Sequence, residues 1–196
     1  MSNSPRIVLA STSRYRAQLL HRLLDDFEQI APGVDEAALD DEAPDARAAR
    51  LAESKARAVA QRFDDVIVIG SDQVAEIDGS VLDKPGTFVN ARSQLAICSG
   101  RTVHFHTALC VIDARRAHHC ARAIDLTRVV FRELSADEIA CYVERERPLD
   151  CAGGFKAEAL GIALFERIES QDPTALIGLP LIALARLLRD CGLPLP

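Results

Sequence analysis

Tryptophan is absent, tyrosine occurs twice and methionine once among 196 residues, and aromatic side chains amount to 5% of the chain. With apolar residues still at 48%, the core is expected to be aliphatic. A surplus of positive charge is missing too: 23 basic residues face 29 acidic ones, a formal net charge of −6. That balance disfavours a chain whose whole surface grips nucleic acid, and leaves room for a local anion site. Nothing approaches the run of about 18 apolar residues that a membrane span needs. The start of the chain is polar through Pro5, followed by a strand-sized apolar run at Ile7–Ala10, and lacks a signal-peptide layout. Cytoplasmic residence is the expectation, with no stable nucleic-acid or membrane partner.

Other absences narrow the chemistry. The six cysteines, at positions 98, 110, 120, 141, 151 and 191, contain no Cys-x-x-Cys pair, so an oxidised scaffold is not called for. His104 and His106, with His118, His119 and Cys120 further on, lack the spacing of a zinc site. Neither a Walker loop nor a nucleophile elbow is present; Gly153–Gly154 is followed by no GK[ST].

What is there reads as one domain over 1–196, with room for a second lobe. Arg6–Ala10 has strand composition, and STSRYRAQLLHRLL switches at once to helical spacing, with Ser11, Thr12 or Ser13 as cap. Phe27–Ile30 reads as a short strand and Pro44–Phe63 as a helix. Val66–Gly70 reads as a buried strand delivering Ser71, Asp72 and Gln73 at its C-terminal end, where open α/β sheets present chemistry. Asp78–Gly79 signals a hairpin, 87–98 a helix, and 103–112 a long strand turned back by 113–116 into 118–132. Ser135 with Glu138 forms a capping box, 161–168 is a further strand, and the segment from Pro180 to Gly192 is a final helix. The fold class is α/β, a mixed sheet with flanking helices.

Among chemistry-bearing residues, Ser11, Arg14 and Arg16 sit beside a helix start, a pattern that serves either an ordinary cap or a phosphate. Lys55, Lys84 and Lys156 are the only lysines, and from the residues alone they read as solvent-exposed unless the fold converges them on a common cleft. Asp72, at a strand end, suits a carboxylate that activates water or holds a divalent cation, with Glu36 as a second oxygen donor. Solvated loop acids fit the same residues, and spacing does not say whether Asp35 or Glu36 points inward.

In combination, LASTSRYRAQLL, APGVDE, LAESKARAV, VIGSDQV, LDKPG, CSGRTV and CAGGFKAE resemble the Maf nucleotide pyrophosphatase family, over roughly residues 6–193. The branch acting on 7-methyl-GTP is nearest in appearance. This resemblance implies an elongated fold with a deep nucleotide-binding cleft, a possible homodimer, and hydrolysis of a modified nucleoside triphosphate with a divalent cation, Mg2+ or Mn2+. It further implies that Ser11, Arg16, Lys55 and Lys84 face phosphates, that Glu36 and Asp72 hold the metal, and that Asp72 accepts the proton. Tyr15, Gln73 and Glu158 match positions of substrate discrimination. Two departures stand out: STSRYR replaces the commoner SxSPRR, and DKP replaces GKP. Pyrimidine triphosphate hydrolysis, where relatives often read SDT, and a nucleotide-binding module without turnover are the alternatives.

Overall fold

A computed structural model describes residues 5–116 and 119–196. His118, part of the histidine cluster noted in the sequence, lies outside the described residues. Five α-helices and seven strands occur among the described residues: β1 (Arg6–Leu9), α1 (Arg14–Leu20), β2 (Glu28–Gln29), α2 (Pro44–Ala60), β3 (Val66–Ile77), β4 (Ser80–Leu82), α3 (Phe88–Cys98), β5 (Thr102–Asp113), β6 (His119–Phe131), α4 (Ala136–Glu146), β7 (Phe165–Glu169) and α5 (Leu181–Asp190). The strands are hydrogen-bonded in the order β2-β1-β3-β5-β6-β7, with β4 on β3. β1 runs parallel to β2 and β3, whereas β4 and β7 pair antiparallel with β3 and β6. The mixed α/β sheet is thus as expected, and no helix among the described residues is long and apolar enough to cross a membrane.

The chain divides into two compact units, residues 1–73, 107–125 and 172–196 in the first, and 74–106 and 126–171 in the second. In the first, strand alternation separates two packing layers. Ile7 and Leu9 of β1, Ile67 and Ile69 of β3, and Leu109 and Val111 of β5 join Leu19, Leu20, Leu184 and Leu188 from α1 and α5 in one aliphatic cluster. The opposite register of β3 meets α2. At Gly70 the helix comes so close that a Cβ would stand 2.3 Å from the Ala52 carbonyl oxygen and 2.8 Å from the Ala56 Cβ. Only glycine fits there.

The second unit departs from the aliphatic expectation. Phe105, Phe131, Phe155 and Phe165 pack edge to face, with ring centroids 4.8–5.5 Å apart, so scarcity of aromatics was no bar to concentrating them. The hairpin at Asp78–Gly79 is present, both residues with positive φ (48° and 81°) as a two-residue turn demands. The Ser135–Glu138 capping box closes in both directions. Two strand boundaries need correction. β3 does not end before Ser71 but continues through Asp72 and Gln73 to Ile77. Residues 161–168 are not one strand: Leu160–Leu164 is a 3-10 turn and extended chain begins at Phe165.

Candidate active site

Lys55 sits where an apolar residue belongs. α2 buries Ala48, Leu51, Ala52, Lys55, Ala56, Val59 and Ala60, the i, i+3, i+4, i+7 stripe of a core-facing helix, and Lys55 is only 5% exposed within it. A charge in that position needs partners, because stripping water from an ammonium costs several kcal/mol. Two carboxylates supply them: Asp72 Oδ1 lies 2.6 Å and Glu36 Oε1 2.8 Å from Lys55 Nζ. Asp72 shares the β3 register of Val68 and Gly70, the face turned to α2, and is itself 6% exposed. Glu36 is 56% exposed, so the cluster runs from core to surface.

The 35–42 segment is held on α2 by arginines. Arg47 Nη2 donates to the Glu36 carbonyl at 3.2 Å and Arg50 Nη2 to the Ala37 carbonyl at 3.0 Å. Arg50 also pairs with Glu42, whose carboxyl it holds down to about 2. Asp35 is turned to its own backbone, accepting from the Ala37 N–H at 2.9 Å. It is therefore Glu36, not Asp35, that reaches Lys55.

Arg16 adds a second cation. α1 has seven residues, capped by Ser13 Oγ on the Arg16 N–H at 3.4 Å. The half-buried guanidinium is lowered from its usual value by burial, against the opposing pull of Asp72 and Glu36. Arg16 Nε donates to the Gly178 carbonyl at 2.9 Å, and Nη1 stands 3.5 Å from Ser11 Oγ. Ser11 Oγ also accepts from the Ser13 N–H at 3.1 Å. Both bonds use Ser11 as acceptor, so its hydroxyl proton is what it can offer an anion. Tyr15 is half-buried; Arg14 lies over its ring at 4.8 Å and donates to its hydroxyl at 2.8 Å.

Gln73 projects from the other register of β3. Its Nε2 has three acceptors within reach, Thr107 Oγ1 at 3.0 Å and the carbonyls of Ala175 and Leu176 at 2.9 and 3.0 Å. This surrounding fixes the amide: an oxygen in place of Nε2 would face two carbonyls. Any hydrogen bond from Gln73 to a ligand therefore runs through Oε1 as acceptor. Gln73→Glu is expected to set a carboxylate oxygen against those carbonyls and to destabilise the chain by about 1–3 kcal/mol. Chemical denaturation checks this, and an unchanged midpoint contradicts it.

Ser11, Tyr15, Arg16, Glu36, Lys55, Asp72 and Gln73 all belong to the first unit. Lys84 and Glu158 belong to the second, each exposed, Lys84 in the loop after β4 and Glu158 in the bend before the 160–164 turn.

Residues 6–191 match the family described as Maf-like protein. The chain belongs to the Maf-like family. Its relatives include the 7-methyl-GTP pyrophosphatase of Xanthomonas axonopodis pv. citri, 56% identical over 98% of this chain and 100% of that one. The 7-methyl-GTP pyrophosphatase of Burkholderia pseudomallei is 52% identical over 97% of this chain and 90% of its own. Among solved structures, a HAM1 protein from Coxiella burnetii superposes with a TM-score of 0.53 at 16% identity, covering 95% of this chain and 99% of that one, a likeness of fold.

The Maf family implies a divalent cation. No group of three or more His, Cys, Asp or Glu side chains among the described residues is arranged to hold a metal ion. Glu36 and Asp72, converging on one Lys55 ammonium, still fit one of the Mg2+ type, which takes one or two carboxylates and completes its shell with water and substrate phosphates.

Thr107 and the Gly178 carbonyl at this candidate site escaped the sequence reading, and Ser71 entered it only as part of the run through Gln73, without its partners. The Ser71 hydroxyl lies 2.8 Å from the Ala108 carbonyl and 2.9 Å from that of Gly178, and donates to one at a time. Gly178 thus receives both Arg16 and Ser71, in a left-handed conformation with φ of 114°. No local motif announces these partners. Lys55, for which spacing alone suggests solvent exposure, is instead buried within the Leu51–Ala52–Ala56–Val59 stripe because α2 packs closely on β3 and two carboxylates meet its ammonium.

Proposed function

We propose that this protein hydrolyses 7-methyl-GTP to 7-methyl-GMP and pyrophosphate. Carrying the reading is the near full-length identity, 52–56%, to relatives bearing that activity in their names. The Lys55, Asp72 and Glu36 cluster supports it, since it combines the cation and carboxylates such a reaction uses.

In this reading residues 1–196 form a single Maf-like domain and the triphosphate lies in a deep cleft beside the cluster. Arg16 and Lys55 offset phosphate charge, and Ser11 donates its hydroxyl. As Lys55 turns toward phosphate, Asp72 Oδ1 is released to accept a proton from water. The water oxygen bonds to the α-phosphorus, the bond from that phosphorus to the bridging oxygen breaks, and pyrophosphate leaves with the electron pair. A divalent cation, Mg2+ or Mn2+, held by Glu36 and Asp72 together with the phosphates, would stabilise the charge that builds on the oxygens.

Lys84 belongs to the phosphate contacts in this proposal, and Tyr15, Gln73 and Glu158 to selection of the base. N7 methylation leaves a cationic purine ring, for which an aromatic face and a carboxylate are suited. A homodimer and a cytoplasmic location complete the reading.

The test is product identification with Mg2+ or Mn2+ and a panel of 7-methyl-GTP, GTP, UTP, dTTP and inosine triphosphate. One pyrophosphate per nucleoside monophosphate, with the highest kcat/KM for 7-methyl-GTP, is expected. Preference for UTP or dTTP would move the assignment to the pyrimidine branch. Stepwise release of orthophosphate would overturn the mechanism, and tight binding without products would indicate a module without turnover.

A further inference from the structure

Cys110 and Cys120 take no part in the site described above, yet their sulfurs lie 3.3 Å apart and both are free thiols. Cys110 belongs to β5 and is 1% exposed; Cys120 belongs to the neighbouring β6 and is half-buried. The connection between these strands, residues 114–118, is far too short for a parallel crossover, so β5 and β6 run antiparallel. Across such a pair, facing side chains stand at a separation that a disulfide spans without backbone movement. The sulfurs would close from 3.3 Å to a bond of about 2.05 Å.

We propose that Cys110 and Cys120 form a reversible dithiol–disulfide site, in which Cys120 meets a low-molecular-weight disulfide and Cys110 resolves the mixed disulfide. The order follows from access, since only Cys120 reaches solvent. Burial, and then the contact with Cys120, pushes the Cys110 thiol well above its usual range, and either sulfur can donate to the other across the 3.3 Å contact.

The surroundings favour an anionic disulfide. Arg57 and Arg122 both bond Glu53, at 2.6 and 2.7 Å, and both guanidinium groups interact electrostatically with the two sulfurs. Arg57 also lines a pocket of about 280 Å³ with Ala60, Gln61 and Ile112, the last lying on the same face of β5 as Cys110. Two arginines against one glutamate leave a positive balance near the sulfurs, suited to the carboxylates of a small disulfide.

The exchange balances. Cys120 gives up its proton and its sulfur attacks one sulfur of the small disulfide, whose S–S bond breaks, and the first small thiolate leaves and takes up a proton. Cys110 then gives up its proton and attacks the Cys120 sulfur, displacing the second small thiolate, which is protonated in turn. The protein loses two electrons and two protons; the small disulfide gains them as two thiols.

The test uses the full chain and oxidised glutathione. After incubation over a range of reduced-to-oxidised ratios, thiols are trapped by alkylation and the peptides mapped by mass spectrometry. Expected are a Cys110–Cys120 linked peptide in the parent, reversed by reduced glutathione, and a stable mixed disulfide at Cys120 in Cys110→Ser. In Cys120→Ser, Cys110 is expected to stay unmodified. Circular dichroism and nucleotide hydrolysis matching the parent confirm that both variants are folded. Glutathione accumulating on Cys120 of the parent without linkage to Cys110 would overturn the proposal. So would linkage confined to Cys141 or Cys151, or modification of Cys110 in folded Cys120→Ser.

Discussion

Asp72→Asn is expected to lower turnover of 7-methyl-GTP by about a hundredfold to ten-thousandfold, the range associated with loss of a positioned general base. Asparagine keeps the shape of the side chain and its place on β3, but a neutral amide oxygen is a poor proton acceptor for attacking water. Glu36 still reaches Lys55, so the buried ammonium keeps a carboxylate partner. The variant should therefore fold and bind nucleotide while failing at the chemical step. Pyrophosphate release at saturating nucleotide and fixed cation concentration reads this directly, with nucleotide affinity as the companion measurement. Retained turnover by a folded variant would remove Asp72 from the base role. A rise in KM with unchanged kcat would instead assign it to binding alone.

Gly70→Ala is expected to have the largest effect on stability, a loss of about 1–3 kcal/mol or more, as for overpacking of a closed core. The new methyl group would be placed 2.3 Å from the Ala52 carbonyl oxygen and 2.8 Å from the Ala56 backbone nitrogen. These are backbone atoms of α2, with no flexible chain end to swing aside, so relief requires the helix to move off the strand. Lys55 lies on the same helix between Ala52 and Ala56, and its 2.6 Å contact to Asp72 depends on that approach. A lowered denaturation midpoint should accordingly come with reduced turnover in whatever fraction remains folded. A parental midpoint would mean that the close helix–strand contact carries no such constraint.

How far the site could be read from sequence follows from where its partners lie. Lys55 was legible as one of three lysines and through the family resemblance, but not as a buried charge; the structure places it on the apolar stripe of α2, and a charge so placed must find counter-charges. Asp72 was legible as a carboxylate after a buried run, but not as a mid-strand residue. The polar Ser71, Asp72 and Gln73 look like a strand end because sequence does not show acceptors waiting on both sides of the sheet. Lys55 satisfies one side, and the 175–178 segment with Thr107 the other, so β3 carries polar residues through its interior. The turn at 160–164 was hidden for a similar reason. Gly161 lies against the Lys156 backbone, where a Cβ would come within 2.4 Å of the carbonyl oxygen, a constraint imposed by chain packing rather than by local apolar pattern. The phenylalanine cluster was missed because composition counts aromatic residues without saying which ones meet.

The Gly178 carbonyl joins Arg16 to a residue 162 positions later, and Ser71 to one 107 positions later. Long-range closures of this kind are slow steps, because loop entropy is lost before the contact repays it. During synthesis the chain would make Arg16, Lys55 and Asp72 early and leave Arg16 without its carbonyl anchor until 174–179 had emerged. Organisation of the phosphate-facing arginine is then a late event in folding, and a nascent chain stopped short of Gly178 would hold the charges of the site but not their arrangement.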